Sequence, residues 1–267
     1  EKANRFRALH QQDHAFIIPN PWDVGTARLL AGLGFEALAS TSAGYAFSLG
    51  RRDGAVGSEQ MMLHLAELAS ATDLPVSADL ENGFGDDPQA AAQTISLAAA
   101  AGMVGGSIED ATGRRDDPIY PLALAVERIK AAVAAARALP FAFTLTARAE
   151  NYLHGRADLK DTIARLQAYQ EAGADVLYAP GLKTRDDIAA VVSSVDRPVN
   201  VLAGPQVHMT LDELSKIGVK RVSVGGSLAR AALGAFLSAG REMREHGSFD
   251  FANDAVSHGD ISAMFPA

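Results

Sequence analysis

Eight short apolar runs alternate with eight helix-length stretches along this chain, and that order leaves few folds open. The runs occupy residues 16–18, 37–39, 76–78, 105–108, 143–146, 176–178, 199–202 and 222–224. The helix-length stretches cover 23–33, 58–71, 88–101, 122–138, 158–172, 184–193, 211–217 and 227–245. Short apolar strands separated by helices signal parallel βαβ units. Eight units predict a closed (β/α)8 barrel of the TIM type, with a doubly wound open sheet as the runner-up. Gly34, Gly102, Gly173 and Gly218 each fall between the end of a helix and the next strand, where a left-handed turn suits glycine. No linker or charge run breaks the pattern, so residues 1–246 are expected to form the barrel. Residues 247–267 form a C-terminal tail, whose Phe249, Phe251, Ile261, Met264 and Phe265 are expected to pack on the barrel or on a neighbouring subunit.

Composition excludes several functions. The 267 residues are 48% hydrophobic and 21% charged, with a formal net charge of −8, so no basic face for nucleic acid is expected. The chain has no cysteine, which excludes disulfides, thiolate nucleophiles and cysteine-held metals. No stretch is long and apolar enough to cross a membrane. The first residues lack the apolar core of a secretory signal, which points to the cytoplasm.

Three of the strands end on acids. The segments are Asp79-Leu80-Glu81 after strand three, Glu109-Asp110 after strand four, and Arg148-Ala149-Glu150 after strand five. Strands buried on both faces have no packing reason to finish on carboxylates. At the catalytic rim of a barrel such acids suit a hard cation, Mg²⁺ or Mn²⁺, held by Asp79, Glu81 and Glu109. None of the seven histidines stands in a pair with metal-ligand spacing. Arg148 carries a planar fork suited to a carboxylate or phosphate, and a structural ion pair with Glu150 or Glu109 is the competing explanation. Strand two leads into a small hydroxyl-rich loop, Ser40-Thr41-Ser42-Ala43-Gly44-Tyr45, whose amides suit a substrate carboxylate or enolate oxygen. Asp53 follows, in a segment that ordinary turn chemistry also explains. Candidates for proton transfer are Asp53, Tyr45, Arg115 and Tyr120.

These pieces, taken in order, resemble the isocitrate lyase/phosphoenolpyruvate mutase superfamily over nearly the whole chain. The resemblance rests on Pro19-Asn20-Pro21-Trp22-Asp23, Ser42-Ala43-Gly44, Ser48-Leu49-Gly50, Asp79-Leu80-Glu81-Asn82-Gly83-Phe84-Gly85, Ile108-Glu109-Asp110, Ala147-Arg148-Ala149-Glu150 and Ala172-Gly173-Ala174-Asp175. It implies a Mg²⁺ held largely through water by Asp79, Glu81 and Glu109, with Glu81 standing where the family usually has Asp. It implies that Asp53 lies near the metal, and that Trp22, Thr41, Ser42, Ala43, Gly44, Arg148, Glu150 and Asn200 surround a small carboxylate substrate. The implied chemistry is formation and collapse of an α-keto acid enolate, with a C–C or P–C bond made or broken. A homotetramer with a swapped C-terminal helix, or a dimer, is the implied assembly. The gating loop departs from the family. The lyases carry Lys-Lys/Arg-Cys-Gly and the phosphonopyruvate enzymes Lys-x-Asn-Ser, whereas this chain has Ala111-Thr112-Gly113-Arg114-Arg115-Asp116-Asp117-Pro118-Ile119-Tyr120. A Mg²⁺-dependent lyase or decarboxylase is therefore expected. The alternatives are phosphonate chemistry, with phosphate at Gly225-Gly226-Ser227, and a barrel that binds metal without catalysis.

Overall fold

The computed structural model describes residues 1–265. Eight strands form one parallel sheet: β1 (Phe16–Ile18), β2 (Leu38–Ala39), β3 (Val76–Asp79), β4 (Gly105–Glu109), β5 (Thr144–Arg148), β6 (Val176–Tyr178), β7 (Val199–Leu202) and β8 (Arg221–Ser223). They pair in the order β1-β8-β7-β6-β5-β4-β3-β2. An Ala39 N–H bond to the Pro19 carbonyl, 3.0 Å long, brings β2 back against β1 and nearly closes the barrel. The helices around it are α1 (Lys2–Leu9), α2 (Val24–Gly32), α3 (Ser42–Ser48), α4 (Ser58–Ala71), α5 (Pro88–Ala100), α6 (Leu122–Arg137), α7 (Leu159–Glu171), α8 (Arg185–Ser193), α9 (Leu211–Lys216), α10 (Ser227–His246) and α11 (His258–Ala263).

The eight predicted strand–helix units are all present, and their ends move by one or two residues. Several of these shifts are caps. Asp23, Asp158 and Thr184 precede their helices as N-caps, with side chains accepting the amides of Thr26, Asp161 and Asp187. Two helices were not foreseen. The segment after β2, expected as a loop, is the start of α3, capped by Thr41, whose hydroxyl accepts the Gly44 amide. Helix α1 plugs the floor of the barrel, burying Phe6 and Leu9 against Phe16 and Val104. Gly105 is required there, because a Cβ on it would lie 2.8 Å from the Phe6 ring and 2.9 Å from the Thr144 carbonyl. Phe249, Phe251 and Met264 are exposed, although Met264 reaches the edge of α2 near Gly32.

Polar groups fill much of the barrel interior above this plug. Thr144, Thr146 and Arg148 alternate onto one face of β5, and Ser77, Ser107, Asn200, Arg221 and Ser223 are buried with them. His10 marks the lower boundary. Its Nδ1 lies 2.8 Å from the Phe6 carbonyl and its Nε2 3.4 Å from an Arg221 nitrogen, so the neutral ring donates from Nδ1 and accepts at Nε2. Burial first, and the Arg221 charge second, push its pKa down to about 3 from 6.5. As pH falls, the unfolded chain takes up this proton before the folded one. The stability from neutral His10 is therefore complete above pH 6.5 and is lost progressively toward pH 3. Between pH 7 and pH 4.5 the loss from this site is expected to be about 2–3 kcal/mol. Urea unfolding at the two pH values should show that extra loss in the parent protein and not in His10→Gln; parallel losses in both would refute it.

Candidate active site

Strand parity and sheet register carry the acids to one rim. Asp79 ends β3, Glu109 ends β4 and Arg148 ends β5, with Glu109 paired directly beside Arg148. The guanidinium of Arg148 is the hub. Its Nη1 lies 2.9 Å from Asp79, its Nη2 3.2 Å from Glu109 and its Nε 2.8 Å from Glu150. Its other face sits over the Tyr178 ring, 5.1 Å from the centroid. Asp79 is held further by the Ser42 amide (3.0 Å) on one carboxylate oxygen, while its own N–H bonds Ser40 Oγ (2.8 Å). The Ser42 hydroxyl then donates to Asp53 (3.1 Å).

Glu81 completes the acid group by an unusual route. Its backbone takes a left-handed φ of 50°, rare for a residue with a side chain. The side chain ends beside Gly54, and Oε1 is buried with no hydrogen-bond partner. Burial, and then the charges of Asp79 and Asp53, push its pKa up to about 8. Burial also raises Asp53, with Asp79 adding to the effect. Glu109 is held well above the ordinary carboxylate range by burial, against the pull of Arg148. The group therefore has more buried carboxyls than Arg148 alone can keep ionised.

The sequence reading had Asp79, Glu81 and Glu109 holding one ion, largely through water. Among the described residues no three acidic or imidazole side chains stand ready as an inner coordination shell. Arg148 lies between Asp79 and Glu109 instead. The charge balance nevertheless fits a divalent cation. Glu81 presents an oxygen without a partner, Asp79 and Asp53 crowd toward it, and the oxygen-only donors suit Mg²⁺ or Mn²⁺. Such a cation would be held by Asp79, Glu81 and Glu109, largely through water.

A cavity of about 360 Å³ opens onto this rim, lined by Thr41, Ser42, Ala43, Asp53, Asp79, Arg148, Tyr178, Asn200, Arg221 and Ser223, among others. A larger one of about 500 Å³ lies at the opposite end, beside Arg7, His10 and Phe141. We place the site at the first, because that is where the strand C-termini converge.

Several predicted residues lie elsewhere. Tyr45 stacks on His64, with ring centroids 3.6 Å apart, and does not line the cavity. Arg115 is exposed at the loop tip. Tyr120 is buried under the gating loop, its hydroxyl donating to Asp86 (2.6 Å), and burial first pushes its pKa up to about 12. Gly44 is packing-limited, since a Cβ there would lie 2.6 Å from Thr41 Cγ2 and 3.0 Å from Trp22 Cβ. Trp22 thus walls α3 from outside the cavity. Glu150 is buried behind Arg148, its amide bonded to Asp110 (2.8 Å). Asn200 reaches the cavity, but its Oδ1 accepts from Arg221 (2.9 Å) and its Nδ2 donates to Ser223 (2.9 Å).

Sequence reasoning missed the groups that hold this rim. Asp110 accepts from Arg165 (3.1 Å) and Tyr169 (2.6 Å) as well as from the Glu150 amide. Arg128 is buried beneath the turn after β3, donating to the carbonyls of Asn82, Gly85 (2.6 Å) and Asp86. An arginine in the apolar stripe of α6 was the available signal. Arg221, inside the strand Arg221-Val222-Ser223, was another.

The same order of features appears in known proteins. Residues 6–244 match the Phosphoenolpyruvate phosphomutase family. The chain belongs to that family. It is 66% identical to a Burkholderia cenocepacia J2315 protein described provisionally as a lyase/mutase, covering 100% of this chain and 96% of that one, with a TM-score of 0.97. An oxaloacetate decarboxylase from Chromohalobacter salexigens is 27% identical over 91% of this chain and 85% of its own. The structure of a phosphonopyruvate hydrolase complexed with oxalate and Mg²⁺ is 25% identical, with a TM-score of 0.86 and coverage of 98% and 94%. This member of the phosphoenolpyruvate phosphomutase family is an enzyme of the lyase type.

Arg128→Met would leave the carbonyls of Asn82, Gly85 and Asp86 without their donor. A loss of about 2–4 kcal/mol on unfolding is expected, with faster amide exchange across residues 83–87. Unchanged exchange there would show that Arg128 does not clamp the turn.

Proposed function

We propose that this enzyme is a Mg²⁺- or Mn²⁺-dependent carbon–carbon lyase or decarboxylase acting on a small α-keto or 2-hydroxy acid through an enolate. The supporting observation is the Arg148 guanidinium on the cavity wall, locked by three carboxylates beside the unpartnered oxygen of Glu81. When bound, a divalent cation supplies Lewis-acid withdrawal of charge from the substrate's α-oxygen and carboxylate. Arg148, on the cavity wall, orients the reacting end of the substrate. The amides of Ser42 and Gly44 are already committed to Asp79 and Thr41, and Ala43 of the same turn lines the cavity. Asp53 lines the cavity and is bonded to Ser42 Oγ, which supports it as the group that returns a proton to the enolate carbon. Tyr45, Arg115 and Tyr120 are not placed to do so.

Decarboxylation needs the fewest protein acids. The C–C bond breaks, CO₂ departs with its carbon, and the enolate left behind takes one proton. It therefore suits a gating loop without cysteine. The phosphonate alternative keeps only part of its expected phosphate loop, because the Gly225 amide donates to Asn20 Oδ1 (2.8 Å) and the Ser227 amide to the Val224 carbonyl (3.0 Å).

Oxaloacetate, phosphonopyruvate, 2-methylisocitrate and longer acylpyruvates supplied with Mg²⁺ would test this by pyruvate release. Turnover of a C–C substrate is expected, abolished by EDTA and reduced about 100-fold or more in Glu109→Gln. Release from phosphonopyruvate alone would overturn it.

We also propose a homo-oligomer built on α10. Leu233, Phe236 (74% exposed), Leu237 and Met243 form an apolar stripe along this helix, continued by Phe249. No helix among the described residues is long and apolar enough to cross a membrane, so a membrane-spanning role does not account for the stripe. Phe236→Glu is expected to shift the sedimentation profile to smaller species while the fold persists; an unchanged profile would exclude this face as the interface.

A further inference from the structure

We propose that Arg221 is a specificity-determining residue that receives a second anionic group of the substrate, so that the pocket selects dicarboxylic α-keto or 2-hydroxy acids over monocarboxylic ones. The inference rests on the lyase reading and adds to it a residue and a substrate class.

Two guanidiniums line the interior of the same cavity, and their surroundings are opposite. Arg148 faces Asp79, Glu109 and Glu150. Arg221 is only 5% exposed and, among the described residues, has no carboxylate within ion-pair distance. Its neighbours are neutral acceptors: Asn200 Oδ1 at 2.9 Å, Thr146 Oγ1 at 3.0 Å and His10 Nε2 at 3.4 Å. They use three of its five N–H groups and leave two. A buried charge without a counter-ion is costly, and the deficit is met when an anion arrives. Arg148 does not offer that to a substrate's far end, because its own charge is outnumbered. The cavity reaches both groups, and Asn200, Ser223 and Tyr178 between them supply polar wall rather than charge.

The roles divide accordingly. The reacting α-oxyacid end lies with Arg148 and the acids, while the distal carboxylate lies against Arg221. Replacement by methionine keeps the bulk of the side chain and removes the charge and the fork.

Calorimetric titration of the full-length protein with Mg²⁺ present, using malate, lactate and oxalate as probes, tests this. Malate carries the distal carboxylate, lactate lacks it, and oxalate represents the reacting end alone. In the parent protein malate is expected to bind at least tenfold more tightly than lactate. Arg221→Met should erase most of that preference and change oxalate affinity less than threefold. Arg221→Lys, which keeps a charge without the fork, should lose at least threefold of the preference; if the methionine variant does not fold, this result decides. Equal binding of malate and lactate by the parent protein, a preference intact in the lysine variant, or a similar loss for all three ligands in Arg221→Met would overturn the proposal. Failure of oxalate to bind the parent protein would sink the lyase reading and this proposal with it. Oxalate binding without a malate preference would sink this proposal alone.

Discussion

A buried guanidinium surrounded by carboxylates is the constraint on which the rest of this structure depends. Arg148 costs free energy to bury, and so do Asp79, Glu109 and Glu150; each is tolerated because the others lie within hydrogen-bond reach. That mutual dependence explains why the neighbouring elements are tied down. The Asp110 carboxylate fixes the backbone of Glu150 and is itself held by Arg165 and Tyr169. Ser42 and Ser40 fix Asp79. The carboxyl groups left over after this pairing are the ones that, on the proposed function, would hold a cation.

The two other buried arginines show how differently one residue type serves one barrel. Arg128 spends its donors on backbone carbonyls and holds the turn after β3 in place. The gating loop then rests on that turn, with Tyr120 and Arg114 both bonded to Asp86. Arg221 instead spends three donors on neutral acceptors and keeps its charge unbalanced below the site. Lysine would reproduce neither arrangement, since both depend on a planar fork reaching several acceptors at once.

Much of the fold was legible because burial on both faces forces a recognisable pattern. Residues 105–108 and 143–146 read as apolar strands, and four glycines marked helix ends that all take positive φ. The acids at 79, 81 and 109 were conspicuous for the same reason, since nothing about packing calls for them. The failures also have physical causes. The stretch Ser42–Ser48 looked like a loop because serine and glycine have modest helix propensity, and the Thr41 cap with tertiary packing overrode it. Tyr45 and Tyr120 were plausible proton donors by type, but one stacks on His64 and the other turns to Asp86. Side-chain direction at a helix or loop residue depends on partners distant in sequence, which local pattern does not contain.

The sequence by itself determined the eight-fold alternation, the rim on which the acids fall and the family, because hydrophobic period and strand length are local properties. Tertiary structure alone decided that Arg148 lies between Asp79 and Glu109, that Glu81 keeps an oxygen without a partner, and that Arg221 lacks an acid. Those facts are relations between strands separated by tens to hundreds of residues. They exist only once the barrel has brought β3, β4, β5 and β8 around a common interior too dry to leave charges indifferent to one another.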